Sequence, residues 1–162
     1  MYERQGAYGG RVPLQELAAR LASLDVAWAS DGHGTTTDHL IAVRDRFRAD
    51  LADTLPGDWA YSMLVALQPG GMIPMHRDLP LKPGLVRHHL VLQTNDRCWN
   101  FHGGDWQQLE LGDIYTVDAE IEHASINWGD TTRVHLVVDI QAFEQPEPSN
   151  SLPRRSALAL RG

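Results

Sequence analysis

Two textures divide the chain. Up to about residue 55, apolar residues recur at intervals of three and four; from Asp58 to Ile140 they come in short runs broken by turn residues. Leu14, Leu17, Ala18, Leu21 and Leu24 fall on one face of a helix. Pro13 suits its first turn, so the spacing predicts a helix from 13 to about 28. A turn-rich segment, Ser30-Asp31-Gly32-His33-Gly34, and a Thr run follow. Asp38 then reads as the N-cap of a second helix, with Leu40, Ile41, Val43, Phe47 and Leu51 as its apolar face and Pro56-Gly57 as its stop. Before both helices, Met1 to Arg11 is polar and Gly-rich and reads as a loose lead-in.

The second texture predicts strands: Trp59 to Leu67, Met72 to His76, Val86 to Thr94, Cys98 to His102, Trp106 to Glu110, Ile114 to Val117, His123 to Asn127 and Thr132 to Ile140. Gly103-Gly104-Asp105 and Leu111-Gly112-Asp113 are tight turns between them. Short strands at this spacing indicate a double-sheet jelly roll or a closed barrel, mainly β, with the helices outside one sheet. One domain is expected over 1–143, helical over 12–55 and with its jelly-roll core at 58–141. The remainder, EQPEPSNSLPRRSALALRG, is rich in Pro and Ser and reads as a flexible tail over 144–162.

Composition changes this picture little. The 162 residues carry a formal net charge of −7, which argues against non-specific nucleic-acid binding. A single cysteine, Cys98, leaves no disulfide framework. The sequence has no apolar run of the ~18 residues a membrane span needs. Its start lacks the apolar core of a signal peptide. A cytoplasmic protein that uses no membrane is expected.

The candidate chemistry lies on the strands. His76 and Asp78 are two apart, so on an extended chain they share one face. With His123 they make two imidazoles and one carboxylate, the set that holds non-haem Fe(II) and leaves positions open. Arg133 stands on an apolar strand, TRVHLVVDI, where a buried charge requires an anion. That anion is a ligand carboxylate, to which its planar fork is suited, or else Asp130 or Asp139 in a structural ion pair. Arg87 and His89 share a face of another strand. The combination describes a site for a metal and a dicarboxylate. His88 and His135 read as structural, His102 as a surface residue, and Met63, Met72 and Met75 as core filling. Asn127 and Trp128 suit either a turn or the pocket wall.

On these residues the chain from about Trp59 to Ile140 resembles the aspartyl/asparaginyl β-hydroxylase family. The resemblance rests on PGGMIPMH at Pro69 to His76, R-x-H-L at Arg87 to Leu90, and EH-x9-R-x5-D at Glu122 to Asp139. It implies a double-stranded β-helix (jelly-roll, cupin-like) core and an Fe(II)- and 2-oxoglutarate-dependent dioxygenase. Such an enzyme uses O2 to hydroxylate a small-molecule amino acid or a peptide side chain. His76 and His123 would ligate iron, Arg133 would bind a 2-oxoglutarate carboxylate, and His89 and Arg87 would be further cosubstrate contacts. The best-known vertebrate members carry glycine where this chain has Asp78. Asp78 therefore implies a full metal and catalytic triad of His76, Asp78 and His123. Two other readings fit the same ligands: a cupin-like metal enzyme that needs no 2-oxoglutarate, and a non-catalytic jelly-roll binding module.

Overall fold

The computed structural model describes residues 2–7, 15, 16, 19, 29–30, 35–38, 55 and 57–141. Eleven strands fall within them: β1 (Glu3–Ala7), β2 (Ala29–Ser30), β3 (Thr35–Asp38), β4 (Asp58–Leu67), β5 (Met72–His76), β6 (Leu85–Gln93), β7 (Cys98–His102), β8 (Asp105–Gln107), β9 (Asp113–Val117), β10 (His123–Asn127) and β11 (Arg133–Gln141). From β4 onward they match the sequence expectation closely, although β8 stops at Gln107 rather than Glu110. They form a seven-stranded sheet in the order β1-β9-β6-β11-β4-β3-β2 and a four-stranded sheet in the order β5-β10-β7-β8. From β4 to β11 the chain changes sheet at every connection except β7 to β8, which is the winding of a jelly roll. That exception is a hairpin whose two-residue loop, Gly103-Gly104, has positive φ at both positions (61° and 114°). A tight turn of this kind favours glycine at both places.

The core follows from β11. It pairs with β4 on one side and β6 on the other, and every residue but the last is buried. Side chains alternate across a strand, so Val134, Leu136, Val138 and Ile140 face away from the small sheet. There they join Leu55, Trp59, Leu64, Ala66, Leu90, Leu92 and Ile114 in the main apolar cluster. The alternate set, Arg133, His135, Val137 and Asp139, faces the four-stranded sheet. Across the β11–β4 ladder they stand opposite Leu67, Val65, Met63 and Tyr61. One face of the large sheet is thus a hydrocarbon layer, and the other carries the polar chemistry.

Near the N-terminus the structure departs from the sequence reading. Part of the lead-in is strand β1, antiparallel to β9, with a register irregularity between Arg4 and Gly6. Arg4 forms an ion pair with Asp113, and Tyr2 is buried. A polar edge strand is held by backbone pairing and one buried anchor, neither of which leaves an apolar pattern. Ala29–Ser30 and Thr35–Asp38, read as turn and Thr run, form an antiparallel β2–β3 pair beside β4. Gln15, Glu16 and Ala19 have helical backbone. The rest of the helix expected at 13–28, the helix expected beyond Asp38 and the tail expected at 144–162 lie outside the described residues.

Leu136 is completely buried at the centre of the main cluster. Leu136→Ala should lower the unfolding free energy by about 2–5 kcal/mol. A urea melt should show this as a lower midpoint at unchanged slope.

Candidate active site

His76 ends β5 and His123 begins β10, directly opposite it in the antiparallel register. Their ring centroids are 4.2 Å apart. Asp78 lies two residues beyond His76, and its backbone N–H donates to the Ala119 carbonyl at 2.9 Å. One ligand atom from each of His76, Asp78 and His123 falls within 4.8 Å of the others. The tautomers follow from the backbone. Nδ1 of His76 lies 2.7 Å from the Pro74 carbonyl, and Nδ1 of His123 lies 2.8 Å from that of Ile121. A carbonyl only accepts, so each Nδ1 carries the proton and each Nε2 lone pair is free. Both Nε2 atoms face Asp78, at 3.4 and 3.9 Å. Burial pushes the His123 pKa below its ordinary value, against the opposing pull of the Ile121 carbonyl and Asp78. A neutral imidazole with a backbone-fixed tautomer is what a metal ligand requires. The donor set of two nitrogens and a carboxylate therefore fits Fe(II).

Asp78 is itself held. Arg87 Nη1 donates to it, while Arg87 Nε and Nη2 donate to the two oxygens of Asp139 at 2.7 and 2.8 Å. Asp139 is 4% exposed, so the guanidinium forks onto a buried carboxylate of β11 and reaches across to Asp78. Arg87 lines the cavity as expected from the sequence, but its hydrogen bonds go to these two carboxylates.

Behind the triad the two sheets enclose a cavity of about 230 Å³. Arg133 lies within its lining and is only 2% exposed. Its Nη2 donates to Asn100 Oδ1 at 3.1 Å and to His135 Nδ1 at 2.8 Å. Nε and Nη1 have no hydrogen-bond partner among the described residues. No described carboxylate pairs with Arg133, and Asp139 is taken by Arg87. The structural ion pair considered for Arg133 is therefore not formed with Asp139. Burial pushes the Arg133 pKa down to about 10. A buried cation left so is open to an anionic partner.

His89 also lines the cavity, and its Nδ1 has no partner among the described residues. His135, read as structural, lines it too. By accepting from Arg133 at Nδ1, it keeps its proton on Nε2, which is likewise without a described partner. The signal was available: Arg133-x-His135 has the same two-residue spacing as His76-x-Asp78. Burial, followed by the nearby Arg133, pushes both His89 and His135 well below the ordinary histidine pKa.

Other expectations need correction. His102 is buried, not superficial, and donates from Nε2 to the Asp118 carbonyl at 2.8 Å. It alternates with Cys98 and Asn100 on the inner face of β7, which the same two-residue period would have shown. Met72 and Met75 are 47% and 50% exposed rather than core filling. They sit on β5, an edge strand. Met63 is half-buried and lines the cavity. Asn127 has a turn role, its carboxamide engaging the Leu67 and Thr131 carbonyls and the Gly129 N–H. His88 points elsewhere, to Thr116 Oγ1.

Comparison with known proteins bears on the family and the fold. A family model described as aspartyl/asparaginyl β-hydroxylase matches residues 49–142. L-Proline cis-4-hydroxylase of Rhizobium meliloti (strain 1021) is 34% identical over 88 residues, 54% of this chain. The match spans only 31% of that enzyme's length. Similar solved structures include the cupin domain of Schizosaccharomyces pombe Cnp3, with a TM-score of 0.49 and 8% identity, covering 73% of this chain and 70% of that one. Another is an RmlC-like cupin from Shewanella frigidimarina NCIMB 400, with a TM-score of 0.48 and 12% identity, covering 74% and 87%.

Two outcomes are expected. Asp139→Asn weakens the grip on Arg87 and so the orientation of Asp78; Mn(II) affinity by calorimetry should fall about tenfold, the usual effect of losing support behind a ligand. The buried histidines set a pH dependence. His89 and His135 stay neutral when folded but take up protons below about pH 6.5 when unfolded. Stability therefore falls as pH drops below 6.5, by up to about 1.4 kcal/mol per pH unit for each histidine. The double variant His89→Asn/His135→Asn should show a flatter denaturation midpoint between pH 7 and 5.

Proposed function

The chain belongs to the aspartyl/asparaginyl β-hydroxylase family, and on that footing we propose that it is an Fe(II)- and 2-oxoglutarate-dependent hydroxylase acting on an amino acid or a peptide side chain. The observation that carries the reading is a buried arginine with two donor nitrogens that lack a partner among the described residues, in the cavity that also holds two histidines and an aspartate at metal-binding separation. A cupin-like metal enzyme without a dicarboxylate would have no use for that arginine.

A bound Fe(II) would supply oxygen activation coupled to decarboxylation of the cosubstrate. The chain's residues supply binding, orientation and shielding. His76, Asp78 and His123 hold the metal, and Arg87, anchored on Asp139, keeps the Asp78 carboxylate turned inward. Arg133 neutralises the far carboxylate of 2-oxoglutarate, in a site dry enough for the pairing to be strong. His89, opposite Val137 across the β6–β11 ladder, adds a donor or acceptor along the cosubstrate's length. Val65, Val117 and Val137 line the remaining wall and exclude water. A shallow groove lined by Tyr61, Met63 and Leu79 opens beside the triad and shares Met63, Asp78 and Arg87 with the cavity. The substrate approaches there, next to the metal. Free L-proline is the first substrate to try, since the curated relative hydroxylates it.

Incubation with 2-oxoglutarate, Fe(II), O2 and a panel of free amino acids should yield succinate and a product heavier by one oxygen. His76→Ala should reduce both to background. Asp78→Gly should lose most turnover; full turnover would show that the carboxylate is not a ligand. Failure of the anaerobic metal-loaded protein to bind 2-oxoglutarate would sink the proposal.

A further inference from the structure

Tyr2 is a residue that no apolar pattern marks, yet it is 4% exposed. Its ring packs against His102 and His89, with centroids 5.2 and 6.0 Å apart, and meets Tyr115 edge-on at 6.4 Å. It stands just before β1, the edge strand of the large sheet. Its backbone carbonyl accepts from Gln107 Nε2, on the edge strand β8 of the small sheet, at 3.5 Å. The segment therefore closes the seam between the sheets, with the Arg4–Asp113 ion pair holding it down. Closure of this seam carries the phenol into the same cavity as Arg133, His89 and the metal ligands.

A buried phenol seeks a hydrogen-bond partner, and the Ser125 side chain lies within reach of that of Tyr2. Ser125 Oγ donates onward to Asn100 Oδ1 at 2.9 Å, the atom that also accepts from Arg133 Nη2 at 3.1 Å. Ser125, Asn100 and Arg133 are hydrogen-bonded in series, and Tyr2 adjoins Ser125, so the chain of polar groups runs from the seam to a cation with no carboxylate partner among the described residues. A carboxylate offers about four lone-pair sites, more than the two unpartnered nitrogens of Arg133 can fill. The rotatable O–H of Tyr2, in the same cavity as the guanidinium, is a suitable further donor once it turns from Ser125 to the carboxylate. Burial raises the Tyr2 pKa despite the opposing influence of Arg133, so the phenol keeps its proton.

We infer that Tyr2 is a cosubstrate-binding residue, whose hydroxyl donates to the carboxylate paired with Arg133. This rests on the 2-oxoglutarate reading above. A segment that closes the seam then also contributes to the anion site, and the cosubstrate holds it in place.

Tyr2→Phe keeps the ring and its packing and removes one O–H. With Mn(II)-loaded full-length protein, calorimetry should show 2-oxoglutarate binding about tenfold more weakly to Tyr2→Phe, the loss expected for one hydrogen bond to a charged group. 2-Oxovalerate, which has a methyl group in place of the distal carboxylate, should bind the two proteins within twofold of each other. Equal 2-oxoglutarate affinity in both proteins overturns the inference and leaves the proposed function standing. A parallel loss for both ligands also overturns it, since it marks a packing role. If the wild-type protein binds no 2-oxoglutarate, the proposed function falls and the inference falls with it.

Discussion

Taking a guanidinium out of water costs several kcal/mol unless it is paired and hydrogen-bonded, and Arg133 is taken out of water almost completely. Only one of its three nitrogens is engaged by the described protein, through Asn100 and His135. Much of the cavity follows from this debt. Asn100 and Ser125 are buried polar groups on the small sheet, aligned so that one carboxamide oxygen serves both the arginine and the serine. His89 and His135 are kept neutral nearby, where a second cation would raise the cost further. The apolar cluster on the opposite face of the large sheet supplies the stability that lets such a site persist.

The two arginines of the site show how differently one residue type is used. Arg87 is half-buried and saturated, with carboxylates on both sides. Its effect is to fix geometry. Arg133 is buried and, among the described residues, undersaturated, which leaves it open to an anionic partner. The sequence places both on strands with inward-facing neighbours, and composition cannot tell them apart. What separates them is Asp139, which stands opposite Arg87 in the β6–β11 register but six residues along the strand from Arg133.

Much of the fold was legible because the β4–β11 region obeys simple rules. Turn residues bound each strand, and two-residue spacing places His76 with Asp78 and Arg87 with His89. The same spacing, applied consistently, would have placed His135 beside Arg133 and His102 on the inner face of β7. What remained hidden depends on register and on edges. Tyr2 and β1 gain their places from backbone pairing along β9 and an ion pair to Asp113, so a polar, Gly-rich segment looked unstructured. The β2–β3 pair likewise joins the sheet at its margin, where short strands leave little periodicity.

The winding of the chain has a consequence for assembly. His76 and His123 come from different strands of the small sheet, and Asp78 is tethered through Arg87 to the large one. The His76–His123 and Arg87–Asp139 approaches are far from local in sequence, and contacts of that kind form slowly because long loops must close first. The arrangement of His76, Asp78 and His123 is therefore complete only once the two sheets have met. An ion that binds only this finished arrangement draws the folding equilibrium toward it by mass action. Such an ion would act as a rivet between layers that the chain has already brought together.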